Sequence, residues 1–115
     1  MNNNLMVIES SNVLTMSSLE IAELTGKRHD HVMVDIVKMF KDLGDEGGLP
    51  NFRDTYTHTQ NGQKYKCYNL PKRETLILVS GYSVAMRARI IDRWQELEEK
   101  QTPATPKTYI EAFLS

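Results

Sequence analysis

Residues 16–36 carry the stretch that decides the fold, Met-Ser-Ser-Leu-Glu-Ile-Ala-Glu-Leu-Thr-Gly-Lys-Arg-His-Asp-His-Val-Met-Val-Asp-Ile. Ser17 is a favourable helix N-cap, and Glu20 follows at the spacing of a capping box. Gly26 suits the left-handed position that follows a helix. The stretch therefore predicts a short helix of about two turns that ends at Thr25.

A second helix is predicted over residues 29–43. Asp30 favours its first turn because a carboxylate stabilises the positive end of the helix dipole. Apolar residues recur at spacings of three and four, which predicts a core-facing stripe of Val32, Met33, Ile36, Val37, Phe40 and Leu43. A short helix, a tight turn with Gly and a second amphipathic helix form the pattern of a helix-turn-helix. An ordinary helical hairpin with a solvated polar tip fits the same residues, so both interpretations stay open here.

A β-hairpin is predicted from two strands, residues 52–58 and 64–70. The Asn61-Gly62 pair between them predicts a type I′ turn, which requires positive φ at both positions. Residues 45–51 contain two glycines and a proline and are predicted to form a loop. A ribbon that follows a helix-turn-helix resembles the wing of winged-helix proteins, although a polar surface hairpin fits as well.

Two further helices are predicted in the C-terminal part. Pro71 suits the first position of a short helix that ends at Ser80 and Gly81. Ser83 is placed to cap a long helix over residues 84–100. The residues predicted to face inward along this helix are Val84, Ala88, Ile91 and Trp94, with Ile90 and Leu97 beside them.

The length of 115 residues suits one domain with a modest core. Residues 1–100 are predicted to form a single α+β domain, winged helix-turn-helix-like, with a β-hairpin wing and a long C-terminal helix. Residues 101–115 are predicted to be a Pro-containing linker and a short tail. Residues 5–8 and 13–14 predict one or two small strands before the first helix.

Several classes of protein are disfavoured by composition. No apolar run approaches the roughly 20 residues that a membrane helix requires, so no membrane partner is expected. The single cysteine, Cys67, excludes an intrachain disulfide and fits a packing residue in a reducing cytoplasm. His29, Asp30 and His31 crowd together without a third ligand at metal-site spacing, and Cys67 has no evident base. Neither an enzyme nor a cofactor is therefore expected.

Basic charge is concentrated in one segment of the chain. The net charge is −1, but residues 64–93 carry seven Lys and Arg against two acidic residues. A local basic patch can bind phosphate although the whole chain is almost neutral. A normal solvated surface gives the same pattern, so charge alone does not decide between the two.

Candidate DNA contacts follow from the predicted motifs. The start of a recognition helix reaches base edges, which makes Lys27, Arg28, His29 and His31 candidates for groove contacts. Wing lysines usually contact the phosphate backbone, a role predicted for Lys64 and Lys66. Lys72 and Arg73 are predicted phosphate contacts, although a solvated helix face fits them too.

Two blocks of sequence resemble the phage regulatory protein Rha family. The first is the stretch of residues 16–36, and the second combines Tyr68-Asn-Leu-Pro-Lys-Arg-Glu-Thr-Leu-Ile-Leu-Val-Ser-Gly-Tyr-Ser with Arg87-Ala-Arg-Ile-Ile-Asp-Arg-Trp-Gln-Glu-Leu-Glu. The resemblance implies a temperate-phage or prophage protein that acts in the cytoplasm of a bacterial host. It also implies a regulatory, antirepressor-like or host-interference role, but it does not by itself imply direct contact with DNA. The predicted winged helix-turn-helix makes transcriptional or lysogeny control through double-stranded DNA the expected function.

Two departures from the family pattern bear on that expectation. Family members often have a basic or polar residue where Val34 stands, and often Asn where His31 stands. Members also often continue into a second, antirepressor-type domain, and this chain is expected to be a short version or an N-terminal module. The net charge of −1, the acidic first half of the chain and the regulatory setting of the family support an alternative function, an antirepressor-type module that binds a phage or host repressor without contacting DNA. A homodimer is expected, since paired half-sites are common for helix-turn-helix motifs.

Overall fold

Four α-helices, one 3-10 helix and three strands make up residues 13–101, the part of the chain that the computed structural model describes. This mixture confirms the α+β class. The strands form one antiparallel sheet in the order β1-β3-β2. In chain order the elements are β1 (Thr15–Ser17), α1 (Ser18–Thr25), α2 (His29–Asp42), the 3-10 helix (Glu46–Phe52), β2 (Arg53–Thr57), β3 (Lys64–Pro71), α3 (Lys72–Val79) and α4 (Val84–Gln101).

The first two helices begin and end as the sequence predicts. The backbone N–H of Leu19 donates to Ser17 Oγ at 3.1 Å, and Gly26 ends α1 in the left-handed region with φ 79°. Glu20 does not complete a capping box, because its carboxylate instead accepts a hydrogen bond from Arg93 Nε at 2.6 Å. That contact ties the start of α1 to α4. Whether α1, the turn and α2 belong to the winged-helix class stays a prediction.

The core-facing stripe of α2 is narrower than predicted. Four side chains of this helix are buried, Val32, Ile36, Met39 and Phe40. Val37 and Leu43, predicted to be in the core, are exposed. The physical reason is that, among the described residues, α2 packs on α1, the 3-10 helix and α3 along one side only, so nothing between residues 13 and 101 covers the side that carries Val37.

The segment between α2 and the hairpin was predicted to be a loop, but it forms a 3-10 helix. Leu49 is buried, and the Phe52 ring packs on Phe40 with ring centroids 5.5 Å apart. Leu49 and Phe52 hold the segment against the rest of the core. The Gly and Pro content of the segment does not predict these two contacts.

The hairpin strands are confirmed, but the predicted type I′ turn is wrong. Gly62 has φ 70°, whereas no non-glycine residue among those described has positive φ. The ladder closes with His58 N–H donating to the Gln63 carbonyl at 2.8 Å, which leaves four residues in the loop. Asn61 does not adopt the left-handed backbone that a type I′ turn requires. Its side chain stabilises the loop instead, because Oδ1 accepts a hydrogen bond from Gln63 N–H at 2.9 Å.

The sheet contributes its central strand to the core. Met16 of β1 lies opposite Leu70 of β3, and both side chains are fully buried. Cys67 is buried as well, which confirms its packing role, and burial raises the pKa of its thiol. The small strand predicted at residues 13–14 lies at Thr15–Ser17 instead, and Gln101, predicted to begin the linker, is the last residue of α4. Residues 5–8 and 102–115 lie outside the described residues.

The last two helices differ from prediction in detail. Pro71 ends β3 and serves as the N-cap of α3, so it is not the first helical residue. The buried side chains of α4 are Ile90 and Trp94, whereas Val84 is 74% exposed, Ile91 is 38% exposed and Ala88 is exposed. The predicted inward face was therefore wrong by about one residue. The helix is oriented by its packing on α1 and by the Arg93–Glu20 ion pair. None of the described helices is long and apolar enough to cross a membrane.

Ile90→Ala should destabilise the domain by about 2–5 kcal/mol, because it removes a fully buried side chain and leaves a cavity. Ile91→Ala is the matched control, and its cost should stay below about 1 kcal/mol since this side chain is partly solvated. Urea unfolding followed by circular dichroism measures both. Equal losses for the two variants would contradict the orientation of α4.

Candidate nucleic-acid interface

Lys27 is held by other groups of the protein. Its Nζ lies 3.4 Å from Asp35 Oδ2 and 4.6 Å from the centroid of the Tyr82 ring. The Tyr82 hydroxyl donates to the same Asp35 oxygen at 2.8 Å, and burial raises the pKa of this hydroxyl. The charge of Lys27 is thus neutralised in a partly buried cluster that joins α2 to the residues after α3.

Arg28 and His31 lie at the surface at the start of α2. Arg28 Nε is 3.2 Å from Asp30 Oδ1, but both side chains are largely exposed, so this ion pair contributes little and is easily exchanged for another partner. His31 is exposed and makes no hydrogen bond or ion pair with the residues that the structure describes. Of the four groove candidates, these two have side chains that are accessible to a ligand.

His29 belongs to the framework of the site. Its Nε2 lies 2.9 Å from Ser18 Oγ, and this buried oxygen accepts a hydrogen bond from Tyr68 N–H at 3.0 Å. The direction of the hydrogen bond between Ser18 and His29 depends on the tautomer of the ring, because the hydroxyl can donate to Nε2 or accept from it. Burial lowers the pKa of His29, and the nearby charge of Asp30 opposes that shift in part.

A chain of aromatic rings joins the start of α2 to the hairpin. The His29 ring meets Tyr56 edge-on at 6.0 Å, and Tyr56 is 5.7 Å from Tyr65. Tyr65 in turn contacts His58 at 6.0 Å and donates its hydroxyl hydrogen to Gln63 at 2.9 Å. The exposed residues at the start of α2 therefore lie beside a hairpin whose tip is held in place by its own side chains.

Lys64 and Lys66 have no ion pair with any residue between 13 and 101. They lie opposite Thr57 and Thr55, and the same register places Arg53 opposite Tyr68. Because strand residues alternate between faces, Arg53, Lys64 and Lys66 share one face of the hairpin. We call this set the basic hairpin face.

Arg53 is a member of this face that the sequence analysis missed. It stands in the acidic half of the chain, so the charge count gave no reason to single it out. Asp54, its neighbour, lies on the opposite face and accepts from Asn69 Nδ2 at 2.7 Å. The alternation along the two strands was the available signal, because the predicted turn differs from the observed register by two residues and leaves the same side chains on each face.

Lys72 and Arg73 lie at the other end of β3, on the order of 25 Å from Lys64 along the strand. Lys72 Nζ donates to Glu98 at 2.7 Å, which lowers the pKa of that carboxyl, and Arg73 pairs with Glu74 at 3.0 Å. The structure therefore does not bring all eight predicted residues together. Arg28 and His31 lie at the start of α2, which contacts the hairpin through Tyr56. Lys64 and Lys66 lie on the opposite face of the hairpin from Tyr56, and Lys72 and Arg73 lie at the other end of β3.

The part of the chain between residues 13 and 101 holds no cluster of three or more His, Cys, Asp or Glu side chains suited to a metal ion. Arg28 and His31 at the start of α2 offer hydrogen-bond donors to an anionic polymer, although the exposed carboxylate of Asp30 lies beside Arg28.

Comparison with known proteins gives one family and one curated relative. The family model described as phage regulatory protein Rha matches residues 16–99. A protein of Haemophilus influenzae described as uncharacterized is 37% identical over 71 residues, which cover 60% of this chain and 40% of that protein. The chain thus spans less than half the length of this relative. No solved structure matches the chain.

Protein stability should fall as the pH is lowered below about 6.5, the ordinary pKa of histidine, in part because of His29. The pKa of His29 is lower in the folded state, so the unfolded chain is protonated first as the pH falls. The free energy of unfolding therefore decreases between the pKa of the unfolded state and that of the folded state. Urea unfolding between about pH 7.5 and about pH 5.5 measures the effect. His29→Gln should reduce the pH dependence, whereas His31→Gln should retain it. A ring of His29 that titrates above its ordinary pKa by NMR would contradict the prediction.

Proposed function

Because the chain belongs to the Rha family of phage regulatory proteins, we propose that it acts in phage or prophage regulation by binding double-stranded DNA. The observation that carries the proposal is the basic hairpin face, on a hairpin whose opposite face contacts the start of α2 through Tyr56. The basic hairpin face holds three cations without an acidic partner among the described residues, and the exposed start of α2 offers further donors. The arrangement has the parts of a winged helix-turn-helix.

The hairpin supplies the sequence-independent part of binding. Arg53, Lys64 and Lys66 project from one face of a ribbon and are free to contact phosphates. Each phosphate that a cation neutralises releases counterions, so the affinity contributed by these side chains falls with salt. Lys72 and Arg73 contribute less, because each already has a carboxylate partner.

Base recognition is confined to the first turn of α2. Arg28 is the residue suited to guanine acceptors, and His31 offers a ring nitrogen as a donor. Further along the outer side of α2, Val34 and Val37 offer no hydrogen bond to a base edge. Lys27 and His29 keep positioning roles, since both are engaged within the protein.

Lys64→Ala and Lys66→Ala should each weaken binding to every duplex alike and reduce the slope of log K against log salt by about 1. Arg28→Ala should instead weaken a selected site more than random DNA. The measurement is fluorescence anisotropy with a duplex of about 25 base pairs at several salt concentrations. Arg89→Ala on α4 is the matched control, because this exposed cation lies away from the hairpin and the start of α2 and should leave the slope unchanged.

A folded wild-type protein that binds no duplex at low salt would overturn the DNA proposal. Equal slopes for the lysine variants and the Arg89 control would show that the hairpin does not contact phosphate. An Arg28 variant that loses the same affinity on every sequence would remove the assigned role in base recognition.

The second candidate is an antirepressor-type module that binds a phage or host repressor. Its support is the net charge of −1 and the ion pairs that occupy Lys27, Arg28, Lys72 and Arg73, half of the expected DNA contacts. Antirepression requires a stoichiometric protein complex. Titration calorimetry with a purified repressor, in the absence of DNA, should then give a saturable isotherm. DNA binding without any such complex would remove this candidate.

A further inference from the structure

A self-complementary stripe runs along the outer side of α2. Asp30, Val34, Val37 and Lys41 follow one another at spacings of four, three and four, which places all four on one helix face. Val34 is 65% exposed and Val37 is 45% exposed. Met33 and Lys38 flank the valines and, with Lys41, complete the lining of a shallow groove. We call the four residues Asp30, Val34, Val37 and Lys41 the α2 stripe.

The charges of the α2 stripe are arranged for an antiparallel copy of itself. With a two-fold axis between Asp35 and Ile36, Val34 of one copy faces Val37 of the other. The same axis sets Asp30 at one end opposite Lys41 at the other, twice by symmetry. Helices packed 8–10 Å apart bring such side chains into contact. We propose that α2 is the interface of a homodimer in which two copies of this helix pair antiparallel through the α2 stripe.

The charged residues at the two ends of the α2 stripe favour a second copy of α2 as its partner. Lys41 has no ion pair with another described residue, and Asp30 has an ion pair only with the highly exposed Arg28. Both therefore remain able to pair across an interface. DNA is a poorer occupant of the stripe's centre, because valines cannot donate hydrogen bonds to base edges.

The proposal is independent of DNA binding, since it uses neither the hairpin nor the side chains of Arg28 and His31. One pair of short helices buries less than the roughly 1,200 Å² of a standard stable interface. The expected dimer is therefore weak and depends on protein concentration, which makes sedimentation velocity the suitable measurement.

The test uses two charge reversals in the full chain, Asp30→Lys and Lys41→Glu. Each alone sets like charges opposite one another twice and should weaken dimerisation about tenfold. An equimolar mixture of the two variants should form heterodimers, because lysines on one chain then face acids on the other. Glu23→Lys and Arg89→Glu are charge-matched controls away from the stripe and should dimerise as the wild type does.

Circular dichroism establishes that each variant folds, and recovery of a dimer in the mixture excludes misfolding as the cause of the individual losses. Val34→Glu, which would bury a carboxylate in the interface, should leave a folded monomer. A wild-type chain that stays monomeric up to about 1 mM would overturn the proposal. So would a dimer that survives Val34→Glu, or charge variants that behave as their controls.

Discussion

The hydroxyl of Ser18 is the contact on which the arrangement of the candidate site depends. It is fully buried, accepts a hydrogen bond from Tyr68 N–H of β3 and bonds to His29 Nε2 of α2. The ladder between β1 and β3 also holds the start of α1 against the sheet, with Met16 buried opposite Leu70. A buried donor or acceptor left without a partner costs about 1–3 kcal/mol. The Ser18 hydroxyl therefore joins α1, α2 and the central strand, and the contact between the His29 and Tyr56 rings adds to it in setting where the start of α2 lies relative to the hairpin.

The elements that the sequence predicted well are those whose limits are set by local chemistry. Ser17 and Gly26 bound α1 through contacts with their own neighbours in the chain, and the two strands follow from alternation. The errors arise where a distant contact decides the outcome. The 3-10 helix depends on Phe52 packing against Phe40, and the inward face of α4 depends on Glu20, which lies 73 residues from Arg93.

The candidate site was predictable as a list of residue types but not as a surface. Whether a cation is free depends on partners that spacing does not reveal, as Glu98 shows for Lys72 and Asp35 for Lys27. Arg53 was missed because it lies in the acidic half of the chain, where the charge count gave no reason to look for a cation. His29 has the chemistry of a base-reading residue, yet its partner Ser18 gives it a structural task that the sequence alone does not indicate.

The outer side of α2 divides into two parts with different chemistry, and the division constrains how the protein can meet DNA. Its first turn carries Arg28 and His31, whereas its centre carries Val34 and Val37. If the centre pairs with a second copy, α2 cannot lie lengthwise in a groove, and only its first turn and the hairpin reach the duplex. A two-fold axis through α2 repeats that junction in both copies, so the paired protein would present two equivalent basic surfaces. Such symmetry matches a palindromic site, and it gives the valine pair a role in setting the spacing between half-sites, although neither valine touches a base.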